Sequence, residues 1–148
     1  MRSSIVIVAA AVSLGVILAT EKKIGANDLP PAVRKSVPAE TKGAEIKGYS
    51  RETEKGGTFY EVETILNGKS RDLLFDASGV LVEVEEEIVL DSIPSDARAA
   101  IEKRAANGKI NKVESVTRGP SVSYEAEITS KTGKRSEVAV NADGSLVK

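Results

Sequence analysis

The chain has 148 residues, of which 41% are hydrophobic and 29% are charged, a balance typical of one ordinary globular domain or two small halves. Its 21 basic and 22 acidic residues give a net charge of -1, which provides no electrostatic attraction for nucleic acid or an anionic membrane. Cysteine, histidine and tryptophan are absent, which excludes disulfides, thiol chemistry and histidine-based zinc sites.

The N-terminus has the pattern of an export signal. Arg2 precedes an apolar run over residues 5–18, and Ala19 is a small residue suited to cleavage. The run is shorter than the roughly 18 to 20 apolar residues of a spanning helix, which favours a cleaved signal over a retained anchor. We expect a signal peptide over residues 1–19 and a linker over residues 20–27. The mature protein is then periplasmic or extracellular, without a stable membrane span.

The rest of the chain contains an internal match between its two halves. Tyr60 and Tyr124 lie 64 positions apart, and so do Pro30 and Pro94. One extra residue after position 132 changes the separation to 65 for the later matches. Repetition at a fixed spacing is typical of duplicated structural units. The sequence therefore predicts two tandem repeats, over residues 28–87 and 91–148.

Each repeat begins with the signal of a helix. The stretches "DLPPAVRKSV" and "DSIPSDARAAI" place apolar side chains every four positions, which makes one buried stripe per helix. A proline near each start suits the first helical turn. Pro38 should keep the first helix short, because proline is disfavoured in a helix interior. The second helix can continue to about Ala106, where Asn107-Gly108 provides a stop.

Strands and turns follow each helix. The predicted strands lie near residues 44–53, 58–66, 69–75 and 80–87, and then near residues 110–118, 121–130, 134–140 and 145–148. Asn67-Gly68 is typical of a two-residue hairpin turn, and "KTG" at 131–133 fits a three-residue turn. "DASG" at 76–79 and "NADG" at 141–144 are turn-formers that lack the ligand pattern of a calcium loop.

These turn lengths predict which residues face each other across the hairpins. The expected pairs are Tyr60–Phe75, Val62–Leu73 and Glu63–Asp72 in the first repeat, and Tyr124–Val140, Ala126–Val138 and Glu127–Glu137 in the second. One sheet face is then apolar and packs against the helices, while the other is acidic. The predicted fold is α+β, with one antiparallel sheet of about eight strands and the helices on one face.

The succession of a proline-led helix, "YEVE" or "YEAE", a "GK" turn and "DxxG" resembles the PepSY-like domain of exported bacterial proteins. Two such units in tandem are similar to the architecture of beta-lactamase inhibitory protein. The resemblance covers roughly residues 28–148 and implies the same sheet and helices. Family members include inhibitory propeptide segments of secreted metallopeptidases and binding modules. The chain lacks the cysteine and tryptophan of the inhibitor, so the resemblance transfers the fold and export but no binding residues.

The acidic sheet face is the candidate functional surface. Its residues are Glu61, Glu63, Asp72, Glu125, Glu127 and Glu137, which bind a partner or form a solvated polar face. No catalytic, cofactor or metal site is predicted, because the familiar nucleophile–base pairs need residue types absent from this chain. We therefore expect a non-catalytic binding module whose partner is an exported or envelope protein or peptide with basic character. The alternative is an inhibitor or regulator of a secreted peptidase or other exported enzyme.

Overall fold

The structure, a computed structural model, describes residues 20–54 and 56–148. One antiparallel sheet contains eight strands in chain order. The strands are β1 (Thr20–Ile24), β2 (Glu45–Glu54), β3 (Gly57–Leu66), β4 (Lys69–Asp76), β5 (Leu81–Ile88), β6 (Lys109–Arg118), β7 (Ser121–Thr129) and β8 (Arg135–Asn141). Helix α1 (Pro31–Glu40) joins β1 to β2, and helix α2 (Ser95–Ala105) joins β5 to β6. The fold class is therefore α+β, as predicted.

The two helices pack on one face of the sheet, over separate core clusters. Under α1, the buried residues are Leu29, Val33, Val37, Val62, Leu73 and Phe75. Under α2, they are Ile93, Ala97, Ile101, Ala105, Val113, Ala126, Ile128, Val138 and Val140. The predicted helix stripes and apolar strand positions are thus confirmed as core. Tyr60 and Tyr124, also predicted to be buried, are only partly covered.

Both predicted hairpin turns are present, and with them the predicted pairs. Asn67 and Gly68 have φ of 53° and 81°, the left-handed values that a two-residue hairpin turn requires. In the three-residue turn, Gly133 has φ 81° and the Ser130 N–H donates to the Lys134 carbonyl at 2.8 Å. The registers of β3 with β4 and of β7 with β8 match the prediction at all six pairs.

Two assignments were wrong, a linker before the first helix and a strand at the C-terminus. Residues 20–27 were assigned to a linker, but Thr20–Ile24 form β1 and pair with β2. The stretch "TEKKI" has one apolar side chain, so its strand depends on the partner rather than on its own pattern. The predicted strand at 145–148 is reduced to an isolated bridge between Val140 and Leu146, which is too short for a ladder.

The prediction that Pro38 shortens the first helix was also wrong. Helix α1 continues through Pro38 to Glu40. Proline removes the single hydrogen bond that its own N–H would donate to the carbonyl four residues earlier. The helix end is stabilised beyond that point, because the Thr41 N–H and hydroxyl both donate to the Val37 carbonyl, at 2.9 and 2.8 Å.

The predicted signal peptide, residues 1–19, lies outside the described residues. Among the residues that are described, neither helix is long and apolar enough to cross a membrane.

Gly79 lies in the turn between β4 and β5, where it packs directly on α1. Its φ is 84°, and a Cβ atom there would lie 2.6 Å from the Ala32 carbonyl oxygen. We expect Gly79→Ala to destabilise the protein by more than the roughly 1 to 3 kcal/mol of a left-handed non-glycine residue alone. Urea unfolding measures the loss. Gly68→Ala is the matched control, because Gly68 has a similar φ of 81° and a Cβ atom added to it would have no neighbour within 4 Å. Equal losses in the two variants would contradict the predicted steric contribution.

Candidate functional site

All six predicted acidic residues lie on the sheet face opposite the helices. Glu63 pairs with Asp72 between β3 and β4, and Glu127 pairs with Glu137 between β7 and β8. Glu61 and Glu125 lie two residues from Glu63 and Glu127, so alternation along each strand places them on the same face. We call this surface the acidic face. Both helices pack on the other side, so neither of them covers it.

The acidic face contains further carboxylates that the sequence analysis missed. They are contributed by the central strands and by the first two strands: Glu21, Glu52, Glu83, Glu85, Glu87 and Glu114. Among the described residues, its cationic members are Lys23, Lys47, Lys112, Arg118 and Lys148. Acidic side chains therefore outnumber basic ones clearly, although the chain as a whole is nearly neutral.

Neighbouring polar groups hold several of these carboxylates in place. The Ser50 hydroxyl donates to Glu61 Oε2 at 2.6 Å, and the Thr64 N–H donates to Asp72 Oδ1 at 3.0 Å. Lys23 forms an ion pair with Glu63 at one flank of the face. Hydrogen bonds and ion pairs of this kind favour the ionised form of a carboxylate.

Two glutamates at the centre of the face have strongly raised pKa values. Burial raises the pKa of Glu85 to about 9, with a further contribution from the charges of Glu125 and Glu83. Burial also raises the pKa of Glu125 to about 9, assisted by its hydrogen bond and charge interaction with Glu137. Both groups are therefore protonated at neutral pH. The hydrogen bond between Glu125 and Glu137 raises the pKa of Glu125 and lowers that of Glu137, which favours a proton on Glu125 facing the Glu137 carboxylate.

The surrounding acids have pKa values shifted in the same direction. Burial raises the pKa values of Glu61, Asp72, Glu114 and Glu137 above their ordinary values. Glu114 is only 8% exposed. A solvated polar face was one of the two alternatives for Glu61, Asp72 and Glu137, whereas the structure places these acids against one another in partly buried positions. The surface therefore concentrates acidic side chains in an incompletely hydrated environment.

Two groups of three acids bring their oxygens within 4.8 Å of one another, namely Glu21, Glu61 and Glu63, and Asp72, Glu85 and Glu114. Each group already contacts a lysine. Lys23 pairs with Glu21 and Glu63 in the first, and Lys112 Nζ lies 2.6 Å from Glu114 Oε1 in the second. Calcium takes six to eight oxygen ligands, so three carboxylates beside a lysine are a poor match for that ion.

The turn aspartates serve the local structure. Asp76 Oδ1 accepts hydrogen bonds from the N–H and hydroxyl of Ser78, and Asp143 Oδ1 accepts the equivalent pair from Ser145. These bonds hold the pKa values of both aspartates below the ordinary value. Their oxygens are thus engaged within the turns, in agreement with the turn interpretation of both motifs.

Comparison with solved structures identifies proteins of the same fold. A protein from Bacteroides eggerthii described as periplasmic aligns with a TM-score of 0.64 and 14% identity, over 81% of this chain and 86% of its own. A DUF2874 family protein from Bacteroides ovatus aligns with a TM-score of 0.60 and 17% identity, over 82% and 86% of the two chains. No protein-family profile and no curated protein matches the chain by sequence.

A BLIP-like protein from Bacteroides fragilis also shares the fold, with a TM-score of 0.56 and 18% identity over 81% of this chain and 84% of its own. The chain thus has a BLIP-like fold, as its resemblance to tandem units predicted. The periplasmic description of the first neighbour agrees with the export expected from the N-terminal signal.

Proposed function

We propose that the protein is an exported, periplasmic, non-catalytic binding module whose acidic face binds a basic segment of another exported or envelope protein or peptide. The observation that carries the proposal is the set of partly buried carboxylates at the centre of this face. Ionising these carboxyl groups next to one another costs free energy, so the central pair retains protons in the free protein. A cationic partner offsets that cost by placing positive charge beside the carboxyl groups, so the face is suited to recognition.

We also infer that the two halves are tandem PepSY-like repeats. Pro30 and Pro94 precede the two helices with nearly the same backbone conformation, φ -53° in both. Gly79 and Gly144 make the same contact, because a Cβ on either would lie 2.6 Å from a carbonyl oxygen in the first turn of the helix above. Shared helix starts and shared turn contacts support duplication of one unit.

Binding is testable with a short peptide of alternating lysine and serine, and a matched peptide in which glutamine replaces lysine. Calorimetry of the full chain should detect binding of the lysine peptide and no binding of the glutamine peptide. Its affinity should fall steeply when salt is added, because exposed charge interactions are screened. Affinity for both peptides alike, or affinity independent of salt, would contradict an electrostatic binding face.

The double variant Asp72→Asn with Glu137→Gln locates the binding surface. Its affinity for the lysine peptide should fall, whereas its stability should rise by a few tenths to about 1 kcal/mol per relieved pair, since both residues face another acid across the sheet. Calorimetry and urea unfolding measure the two effects. Glu40→Gln with Glu102→Gln is the matched control, because it changes the net charge equally on the helices. Unchanged affinity in the Asp72 and Glu137 variant would leave the acidic face as a solvated surface.

A second candidate function is inhibition or regulation of a secreted peptidase or other exported enzyme. The shared fold with a BLIP-like protein is the observation in its favour. Adding the purified protein to culture-supernatant peptidases distinguishes the candidates. A lowered hydrolysis rate that the Asp72 and Glu137 variant no longer produces would favour the inhibitor, whereas unchanged hydrolysis together with binding of the lysine peptide would favour the module.

A further inference from the structure

A cleft of about 440 Å³ crosses the middle strands of the acidic face. Carboxyl groups of Glu61, Glu85 and Glu125, contributed by β3, β5 and β7, line it. Adjacent strands of a sheet lie about 4.8 Å apart, so these groups span several strands rather than one edge. The cleft is therefore a surface of the whole sheet, formed where the two halves of the chain meet.

The cleft has an apolar floor, which sets it apart from the rest of the acidic face. Leu74 and Val116 lie in it at 7% and 6% exposure, on the strands at either side of β5. Leu74 is opposite Glu83, and Val116 is opposite Glu85, so apolar and acidic side chains occupy adjacent positions. A ligand that matches this arrangement has an aliphatic part beside a positive charge.

Lysine and arginine side chains have this composition. Each carries three or four methylene groups that pack on apolar surface while the charged head remains among polar groups. A small inorganic cation would not use the apolar floor, and an aliphatic side chain would leave the carboxyl groups uncompensated. The carboxyl groups and the apolar floor thus point to the same class of side chain.

The chain itself brings a lysine to this cleft. Among the described residues, the cationic side chains that line it are Arg118 and Lys148. Arg118 Nε lies 2.6 Å from Glu83 Oε2 and compensates that carboxylate. Lys148 follows Val147, whose N–H donates to the Ala139 carbonyl at 3.1 Å. Lys148 therefore borders the cleft on the β8 side.

We propose that the cleft receives a lysine or arginine side chain of the partner, with its methylene groups on Leu74 and Val116 and its charged head among Glu61, Glu85 and Glu125. The inference rests on the proposed function of the acidic face and adds the side chain that the partner inserts. Lys148 borders the same cleft, so we expect Lys148→Gln, which removes a positive charge from its edge, to strengthen partner binding.

The test uses three probes with the full chain at pH 9, where the central glutamates can ionise while lysine keeps its charge. The first is an alanine-rich peptide with one lysine and blocked ends, and the second carries norleucine at that position, which keeps the methylene groups without the charge. The third is free 1,5-diaminopentane. NMR titration follows the methyl signals of Leu74 and Val116. The lysine peptide should shift them and bind at least about tenfold more tightly than the other two probes.

Two variants measure separately how much the acidic groups and the apolar floor contribute to affinity. Glu85→Gln should weaken the lysine peptide about tenfold, and Val116→Thr should weaken it as well, because a hydroxyl replaces a methyl beneath the methylene groups. Glu102→Gln, on the exposed surface of α2 and away from the acidic face, is the control and should leave this affinity unchanged. Urea unfolding of each variant distinguishes a lost contact from a lost fold.

Several results would overturn the inference. Equal binding of the norleucine peptide would show that charge is irrelevant, and equal binding of the diamine would assign the cleft to free alkylamines instead of a partner's side chain. Absence of Leu74 and Val116 shifts would also overturn it. If the alternating lysine peptide still bound in a salt-dependent way, the proposed function would survive without the inserted side chain. If the alternating lysine peptide also showed no binding, both proposals would be wrong.

Discussion

Replacing Phe75 with alanine is expected to lower the free energy of unfolding by about 3 to 5 kcal/mol, the usual cost of truncating a fully buried phenylalanine. Phe75 is 0% exposed and packs under α1 with Val33, Val37 and Leu73. Truncation removes the contacts of the ring and leaves a cavity that the rigid sheet closes only in part. Urea unfolding monitored by circular dichroism measures the change.

Phe59 offers a matched control on the same sheet. It lies on β3, where it faces Asp76 and is only partly buried, so Phe59→Ala removes the same atoms from a wetter site. We expect a clearly smaller loss for that variant. A loss below about 1 kcal/mol for Phe75→Ala would contradict the core assignment.

The position of Phe75 in the core could be predicted because a hairpin turn sets the register on either side of it. Asn67-Gly68 is a two-residue turn, and counting outward from it places Phe75 opposite Tyr60. A shift of one residue would expose the whole apolar set, so the register is strongly specified. The same argument places Val140 opposite Tyr124. Local turn chemistry is thus sufficient for half of the sheet.

Other pairings depend on contacts that no local pattern contains. Strands β5 and β6 are joined through α2, and a helix does not determine how two strands align. The pairing of Glu85 with Val116 could not be predicted for that reason. Strand β4 pairs with β5 through a register shift at Leu74 and Phe75, which also interrupts simple alternation. Strand β1 forms only because β2 offers it an edge.

The sequence predicted an acidic face, but it did not predict the glutamates at the centre of that face. Alternation along the predicted hairpins correctly grouped Glu61, Glu63 and Asp72 on one face. The stretch "VEVEEEI" contains Glu83, Glu85 and Glu87 at alternate positions, a signal that these residues could share a sheet face. Their burial, however, depends on side chains from neighbouring strands. Raised pKa values follow from that packing, so they could not be read from composition or spacing.

Stability is expected to fall as the pH rises from 5 to 9, because the folded protein holds protons that the unfolded chain releases. An unfolded glutamate has a pKa near its ordinary value, whereas Glu85 and Glu125 have pKa values of about 9 in the folded state. The folded state therefore binds more protons across this interval, and each added pH unit lowers its stability until the folded pKa is passed. One pKa unit corresponds to about 1.4 kcal/mol, so the total loss should be on the order of several kcal/mol.

The surroundings of Glu85 explain why this proton is retained. Acidic groups approach it from its own strand and from neighbouring strands on both sides: Glu61, Asp72, Glu83, Glu114 and Glu125. The cations Lys112 and Arg118 already pair with Glu114 and Glu83. Ionising Glu85 therefore adds a negative charge among others in a partly dry site.

Urea unfolding at pH 5, 7 and 9 tests this linkage, with Glu85→Gln and Glu125→Gln as neutral replacements of similar shape. Both variants should lose less stability than the native chain between pH 5 and pH 9, because each removes one titrating group. Glu102→Gln, on the exposed surface of α2, should retain the native pH dependence. Stability independent of pH in the native chain would mean that the central glutamates are ionised and hydrated. In that case the acidic face would not hold the unfavourable carboxylates that a cationic partner is proposed to relieve.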